Sequence, residues 1–117
     1  MRHGKISVWH SGNKVNILSG MQTQSLKERL CGLLVLEPLK PQQALWLTPC
    51  NSIHTVAMKY DLDLIYLDRH NTICKLVENV KPWRVSGCLK AKVTIELPAG
   101  SIKQFRVQYG DRCEWQD

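Results

Sequence analysis

Apolar positions along this chain recur at two spacings, and the contrast between them sets the expected architecture. From Leu89 to Leu97 the residues Leu89, Ala91, Val93, Ile95 and Leu97 alternate with Lys90, Lys92, Thr94 and Glu96. That period of two predicts a strand with one dry face and one wet face. Leu26, Leu30, Leu33 and Leu34 instead follow a helical spacing behind the capping-box run Ser25-Leu26-Lys27-Glu28. A short helix over residues 25–34 that buries one leucine face is therefore expected, with Gly32 weakening its last turn.

The remaining apolar runs are short and bounded by turn-forming residues. Lys5 to Trp9 and Val15 to Leu18 flank Ser11-Gly12-Asn13-Lys14 and predict an opening hairpin. Pro38 and Pro41 bracket a loop, after which Ala44-Leu45-Trp46-Leu47 forms a new element stopped by Thr48-Pro49. Cys50 to Thr55 is polar and irregular, which predicts a loop or strand end. Leu62 to Leu67 and Thr72 to Val77 read as strands joined by a turn at Asp68-Arg69-His70-Asn71. Ser101 to Phe105 allows one helical turn, and Tyr109-Gly110-Asp111-Arg112 turns the chain into a last strand through Trp115. Many short strands with one short helix predict a mostly β fold, either a two-sheet sandwich or an open barrel.

A chain of 117 residues fits one domain, residues 1–117, because the surface buried at this size supports a single core. With 44% hydrophobic and 22% charged residues it has the composition of a folding globular protein. No apolar run reaches the roughly 18 residues needed to cross a bilayer, and Met1-Arg2-His3-Gly4-Lys5 leads into no apolar signal core, so no membrane role is expected. Five cysteines at long, uneven gaps, without a C-x-x-C pair, argue against a disulfide framework or zinc ribbon and for a reducing cytoplasm. The net charge of +6 raises the local concentration of polyanions, but the basic residues are spread along the chain.

Three stretches taken together carry a family resemblance. They are Cys50-Asn51-Ser52-Ile53-His54-Thr55-Val56-Ala57-Met58, Leu62-Asp63-Leu64-Ile65-Tyr66-Leu67-Asp68, and Ile95-Glu96-Leu97-Pro98-Ala99-Gly100 followed by Gly110-Asp111. In order and spacing they resemble the domain of unknown function 192, also called uncharacterised protein family 0127. Arg29 with Gly32-Leu33-Leu34 is similar to that family's opening motif, and Lys81-Pro82-Trp83-Arg84-Val85 to the Pro-Trp-Arg segment of its His-Thr-x-x-Met subgroup. The resemblance runs from about Ser25 onward and implies a compact, jelly-roll-like β sandwich with one helix. It implies no reaction. Tyr60-Asp61 stands where the family often has an apolar residue and proline, and Ala57 where glycine is usual, so the loop before Asp63 is expected to differ.

Polar chemistry concentrates between Cys50 and Met58. A thiolate, an imidazole and a thioether at Cys50, His54 and Met58, with Cys88 as a fourth donor, would suit a soft cation such as Cu(I). That spacing converges only on a helix, whereas Pro49 and the β-branched Ile53, Thr55 and Val56 favour extended backbone, so no metal or cofactor is assigned and Met58 is expected in the core. Cys50 or Cys88 as nucleophile, with His54 as base and Asp63 as orienter, would make a cysteine-dependent enzyme. No local signature surrounds either thiol, and the plainer reading makes Cys88 a small apolar filler before a strand. Asp61, Asp63 and Asp68 are read as turn and loop residues rather than as a carboxylate cluster, with Asp63 accepting backbone N–H bonds.

Lys81, Arg84, Lys90 and Lys92 around Trp83 could hold an anionic polymer, although Lys90 and Lys92 are equally the wet face of a strand over 90–92. Nucleic acid is thus a disfavoured partner, and neither a glycine-rich phosphate loop nor a serine elbow is present. The preferred expectation is a non-catalytic binding or accessory domain for a ligand or protein partner, working through Ser52, His54, Thr55, Asp63, Pro82, Trp83 and Arg84. No oligomeric state can be read from these residues.

Overall fold

The N-terminal alternation folds into the expected hairpin and runs further than its apolar residues. In the computed structural model, which describes residues 2–22, 39–55 and 58–117, β1 (Arg2–His10) and β2 (Asn13–Gln22) pair antiparallel around Ser11-Gly12. Positive φ angles of 50° and 81° at those two residues fit a tight two-residue turn. The helix expected over residues 25–34, with Cys31, lies outside the described residues.

The other strands are β3 (Gln43–Leu47), β4 (Ser52–His54), β5 (Leu62–Leu67), β6 (Ile73–Val80), β7 (Val85–Gly87), β8 (Val93–Pro98) and β9 (Arg112–Gln116). The single helical turn expected near Ser101 is α1 (Ser101–Gln104). Seven strands form one sheet in the order β6-β5-β8-β3-β2-β1-β9, while β4 and β7 form a separate two-stranded ribbon. All sheet pairs are antiparallel except β2 with β3. The large sheet curls until its edge strands meet: Thr72 bridges Arg112, the Ile73 N–H donates to the Asp111 carbonyl at 2.8 Å, and the Cys113 N–H donates to the Asn71 carbonyl at 3.0 Å. The result is a mostly β, open-barrel-like fold with two sheets and one short helix among the described residues.

Two apolar clusters occupy the two faces of this sheet. One gathers Ile6, Val8, Leu18, Trp46, Ile65, Ile95 and Leu97 on the concave side, closed by Ile102 and Val107. Trp115 packs against it, its ring 5.9 Å from that of Trp46. The Trp115 ring lies over the paired Gly4 and Gly20, where an added Cβ would stand 2.7 Å and 2.6 Å from ring atoms, so those strands need glycine to admit it. The second cluster, Leu45, Leu47, Leu64, Tyr66 and Val80, lies on the other face under Ile53 of the ribbon.

This two-sided burial corrects one expectation. The alternation from Leu89 to Leu97 does not make a strand with a wet face. Leu89 to Lys92 is a turn, with Leu89 97% exposed, and the strand begins only at Val93. Thr94 and Glu96, expected in water, are fully buried, because the segment around Cys50 and Ile53 covers that face of the central strand β8, the Thr94 hydroxyl donating to the Cys50 carbonyl at 3.0 Å. Lys90 and Lys92 are exposed but belong to that turn, so a basic strand over 90–92 does not exist.

Candidate functional site

Ser52 to Thr55 and Pro82 to Arg84, expected to share one surface with Asp63, lie on segments joined by main-chain bonds that continue to Gly87. Ser52 pairs with Gly87, Ile53 with Ser86 and His54 with Val85. Alternation then buries Ile53 and leaves Ser52 and His54 exposed. Thr55 follows as a fully buried hub: its hydroxyl donates to the Lys81 carbonyl at 2.7 Å and accepts from the Arg84 N–H at 2.8 Å. Its main-chain N–H and carbonyl bond the Arg84 carbonyl and the Trp83 N–H at 2.8 Å and 3.0 Å. Four bonds from one residue fix the loop that carries Pro82, Trp83 and Arg84.

Held in this way, Trp83 takes a left-handed φ of 63°, a conformation costly for a non-glycine residue, and leaves 65% of its surface exposed. Val85, opposite His54, is 81% exposed. Arg84 is exposed too, its guanidinium reaching only the Trp83 carbonyl at 3.4 Å. Lys81 is engaged by Asp61 at 2.7 Å. The ribbon therefore shows water an indole, an isopropyl group, an imidazole and a guanidinium free of carboxylate partners among the described residues.

Beneath the ribbon lies a polar layer. The Tyr66 hydroxyl meets the Ser86 hydroxyl at 2.8 Å and ties β5 to β7. Burial, more than the neighbouring charges, pushes the Tyr66 phenol above its ordinary range. Glu96 stands on β8 between Leu45 and Leu64 of the adjacent strands, fully buried, and neither carboxyl oxygen has a hydrogen-bond partner among the described residues. Desolvation pushes its carboxyl up to about 8, so it is mostly protonated at neutral pH. Cys74 of β6 and Cys88 after β7 bring their sulfurs to 3.5 Å, and burial first, then the neighbouring Cys88, pushes the Cys74 thiol up to about 11.

The other candidate residues are dispersed. Cys50 is half-buried, donates from Sγ to the Ser52 carbonyl at 3.1 Å, and lines a small cleft of about 240 Å³ with Pro49, Asn51, Ser52, Ala91 and Lys92. Among the described residues no hydrogen bond joins Cys50, His54, Cys88 and Asp63, and no three metal-ligating side chains cluster. Met58 is buried, as expected of a core residue. Asp63 turns with Leu97 to the opposite face of the sheet, where its carboxylate accepts from the Asn79 N–H at 3.0 Å and the Ile102 N–H at 2.9 Å. Asp68 accepts from the His70 and Thr72 N–H groups and shapes the β5–β6 turn.

Sequence reasoning missed Glu96, Cys74 and Val85. A glutamate between Ile95 and Leu97 in a central strand was the signal for the first, masked by assigning its face to water. Cys74 is the unpaired residue of a bulge in β6, because Ile73 faces Leu67 and Lys75 faces Tyr66, and no sequence period announces a bulge.

Residues 10–115 match the family DUF192, described as Uncharacterized ACR. A protein of uncharacterised family 0127 from Pyrococcus abyssi is 38% identical over 65 residues, which is 55% of each chain. Another from Pyrococcus horikoshii is 32% identical over 65 residues, 55% of this chain and 56% of the relative, so the aligned region spans about half the length of these curated relatives. Among solved structures, one from Sinorhizobium meliloti described as a "putative transcription regulator" superposes with a TM-score of 0.86 at 19% identity, covering 97% of this chain and 94% of that one. A protein of unknown function from Novosphingobium aromaticivorans gives 0.84 at 14% identity, covering 97% and 85%. At these identities both establish the fold alone.

Proposed function

This chain belongs to the DUF192 family, and from that premise and the ribbon's geometry we propose that residues 1–117 act as a single non-catalytic binding domain that docks an acidic, aromatic-bearing protein segment on β4–β7. The observation that carries this reading is Trp83, exposed in a strained backbone conformation that the buried Thr55 enforces. Strain and exposed apolar area both cost stability, and a fixed indole is the kind of side chain that anchors interfaces. Arg84, with no carboxylate partner among the described residues, supplies the complementary charge, and the net charge of +6 favours acidic partners. The cleft beside Cys50, about 240 Å³, is smaller than typical small-molecule sites of about 300 Å³ and above, whereas larger clefts of about 400 and 530 Å³ lie away from the ribbon. Free thiols at Cys50, Cys74, Cys88 and Cys113 support a reducing cytoplasm.

Nucleic acid is the second reading, favoured by an indole available for stacking beside Arg84 and by the words describing the Sinorhizobium meliloti neighbour. NMR titration with a Glu/Tyr co-polypeptide and, separately, with a thymidine oligonucleotide tests both. The proposal expects amide shifts confined to residues 52–55 and 83–87 with the polypeptide, and a loss of about tenfold in affinity in Trp83→Ala. Shifts only outside the ribbon, or none, overturn it. Tighter oligonucleotide binding with a steep salt dependence replaces it with the second reading.

A further inference from the structure

We propose that Cys74 and Cys88 form a reversible disulfide site, oxidised by a low-molecular-weight disulfide, that staples the β4–β7 ribbon to the edge of the large sheet. The two sulfurs already touch at 3.5 Å, and both residues are half-buried, within reach of a small reagent. Cys74 reaches this position because it is the extra residue of the β6 bulge, a device that redirects a side chain from its regular face. Its Sγ is held by the Tyr66 carbonyl at 3.5 Å. The Cys88 backbone is pinned on both sides, its N–H on the Asn51 carbonyl at 2.8 Å and its carbonyl accepting the Ala91 N–H at 3.0 Å. Closing from 3.5 Å to a bond of about 2.05 Å needs only a small shift, of the size that changes in the two cysteine side-chain torsions supply.

The Lys75 ammonium next to Cys74 bonds the Gly87 carbonyl next to Cys88 at 2.7 Å, a second tie that holds β6 and β7 together at the level of the two thiols. Cys88 gives up its proton to solvent and attacks one sulfur of the reagent RSSR, so that the Cys88 Sγ–SR bond forms as the reagent's S–S bond breaks, and the first RS⁻ leaves and takes a proton. Cys74 then gives up its proton to solvent and attacks Cys88 Sγ, releasing the second RS⁻ as RSH. Two protein thiols are oxidised and one RSSR is reduced to two RSH. The inference does not depend on what the ribbon binds.

Treating the folded protein with oxidised glutathione and mapping the products by tandem mass spectrometry tests it. The expected result is the joint loss of two titratable thiols, a peptide pair linked through residues 74 and 88, and full reversal by reduced glutathione. Cys74→Ser should accumulate the glutathione adduct on Cys88 instead. Stable adducts on both thiols of the unmutated chain, or a link from Cys50 to Cys88, overturn the inference; both are read on the natural sequence, whatever the variant's stability.

Discussion

Three buried or strained side chains decide how much of this surface is function and how much is architecture. Glu96 carries a carboxyl raised from 4.5 to about 8 by desolvation. The folded state thus holds a proton that the unfolded state releases. Stability is full below about pH 4.5 and is lost as pH rises through 8, with a total loss on the order of 5 kcal/mol at about 1.4 kcal/mol per unit. Urea unfolding should therefore give a lower midpoint at pH 8 than at pH 5.5, and Glu96→Gln should flatten that difference. Asp63 has a structural part, its side-chain oxygens tying β5 to Asn79 and to α1. Asp63→Ala should cost about 3 kcal/mol in unfolding free energy while leaving ribbon contacts unchanged; an unchanged stability would show that the two backbone bonds matter little. At Trp83, glycine relieves the left-handed backbone, so Trp83→Gly should raise stability by about 1 kcal/mol while weakening docking. Stability and binding moving together would contradict the separation of roles.

Among the elements, the ribbon is the part whose conformation depends on one residue. Thr55→Val keeps the shape of the side chain but removes the donor to the Lys81 carbonyl and the acceptor for the Arg84 N–H. Hydrogen exchange should then quicken at the Trp83 and Arg84 amides by at least tenfold, while amides of β5 and β8 stay protected; Thr55→Ser should restore the slow rate. The β1–β2 hairpin has an equally local dependence on glycine. Gly20→Ala would place a methyl 2.6 Å from the Trp115 ring and should lower the thermal midpoint, because the clash is with a ring already wedged against Trp46. At this scale the sequence was readable where a run was bounded by turn residues. Leu62 to Leu67 matches β5 at both ends, and Asp68 makes the turn expected of it. It was misleading at Leu89 and Ala91, where an alternating pattern continued through a turn.

For the molecule as a whole, the seven-stranded sheet gains its closure from a few bonds between β6 and β9, distant in sequence. The amides of Ile73 and Cys113 should accordingly exchange only through global unfolding; rapid exchange there would mean that the curled sheet opens at this seam. No described helix is long and apolar enough to cross a membrane. The amino-acid order alone determined the mostly β class, the hairpin and the strand at Leu62, because local periodicity and turn chemistry are written in neighbouring residues. Only tertiary structure decided that Thr94 and Glu96 are dry, that Asp63 faces away from the ribbon and that Cys74 meets Cys88. Which face of a central strand is covered depends on what other segments pack against it, and no pattern within the strand carries that information.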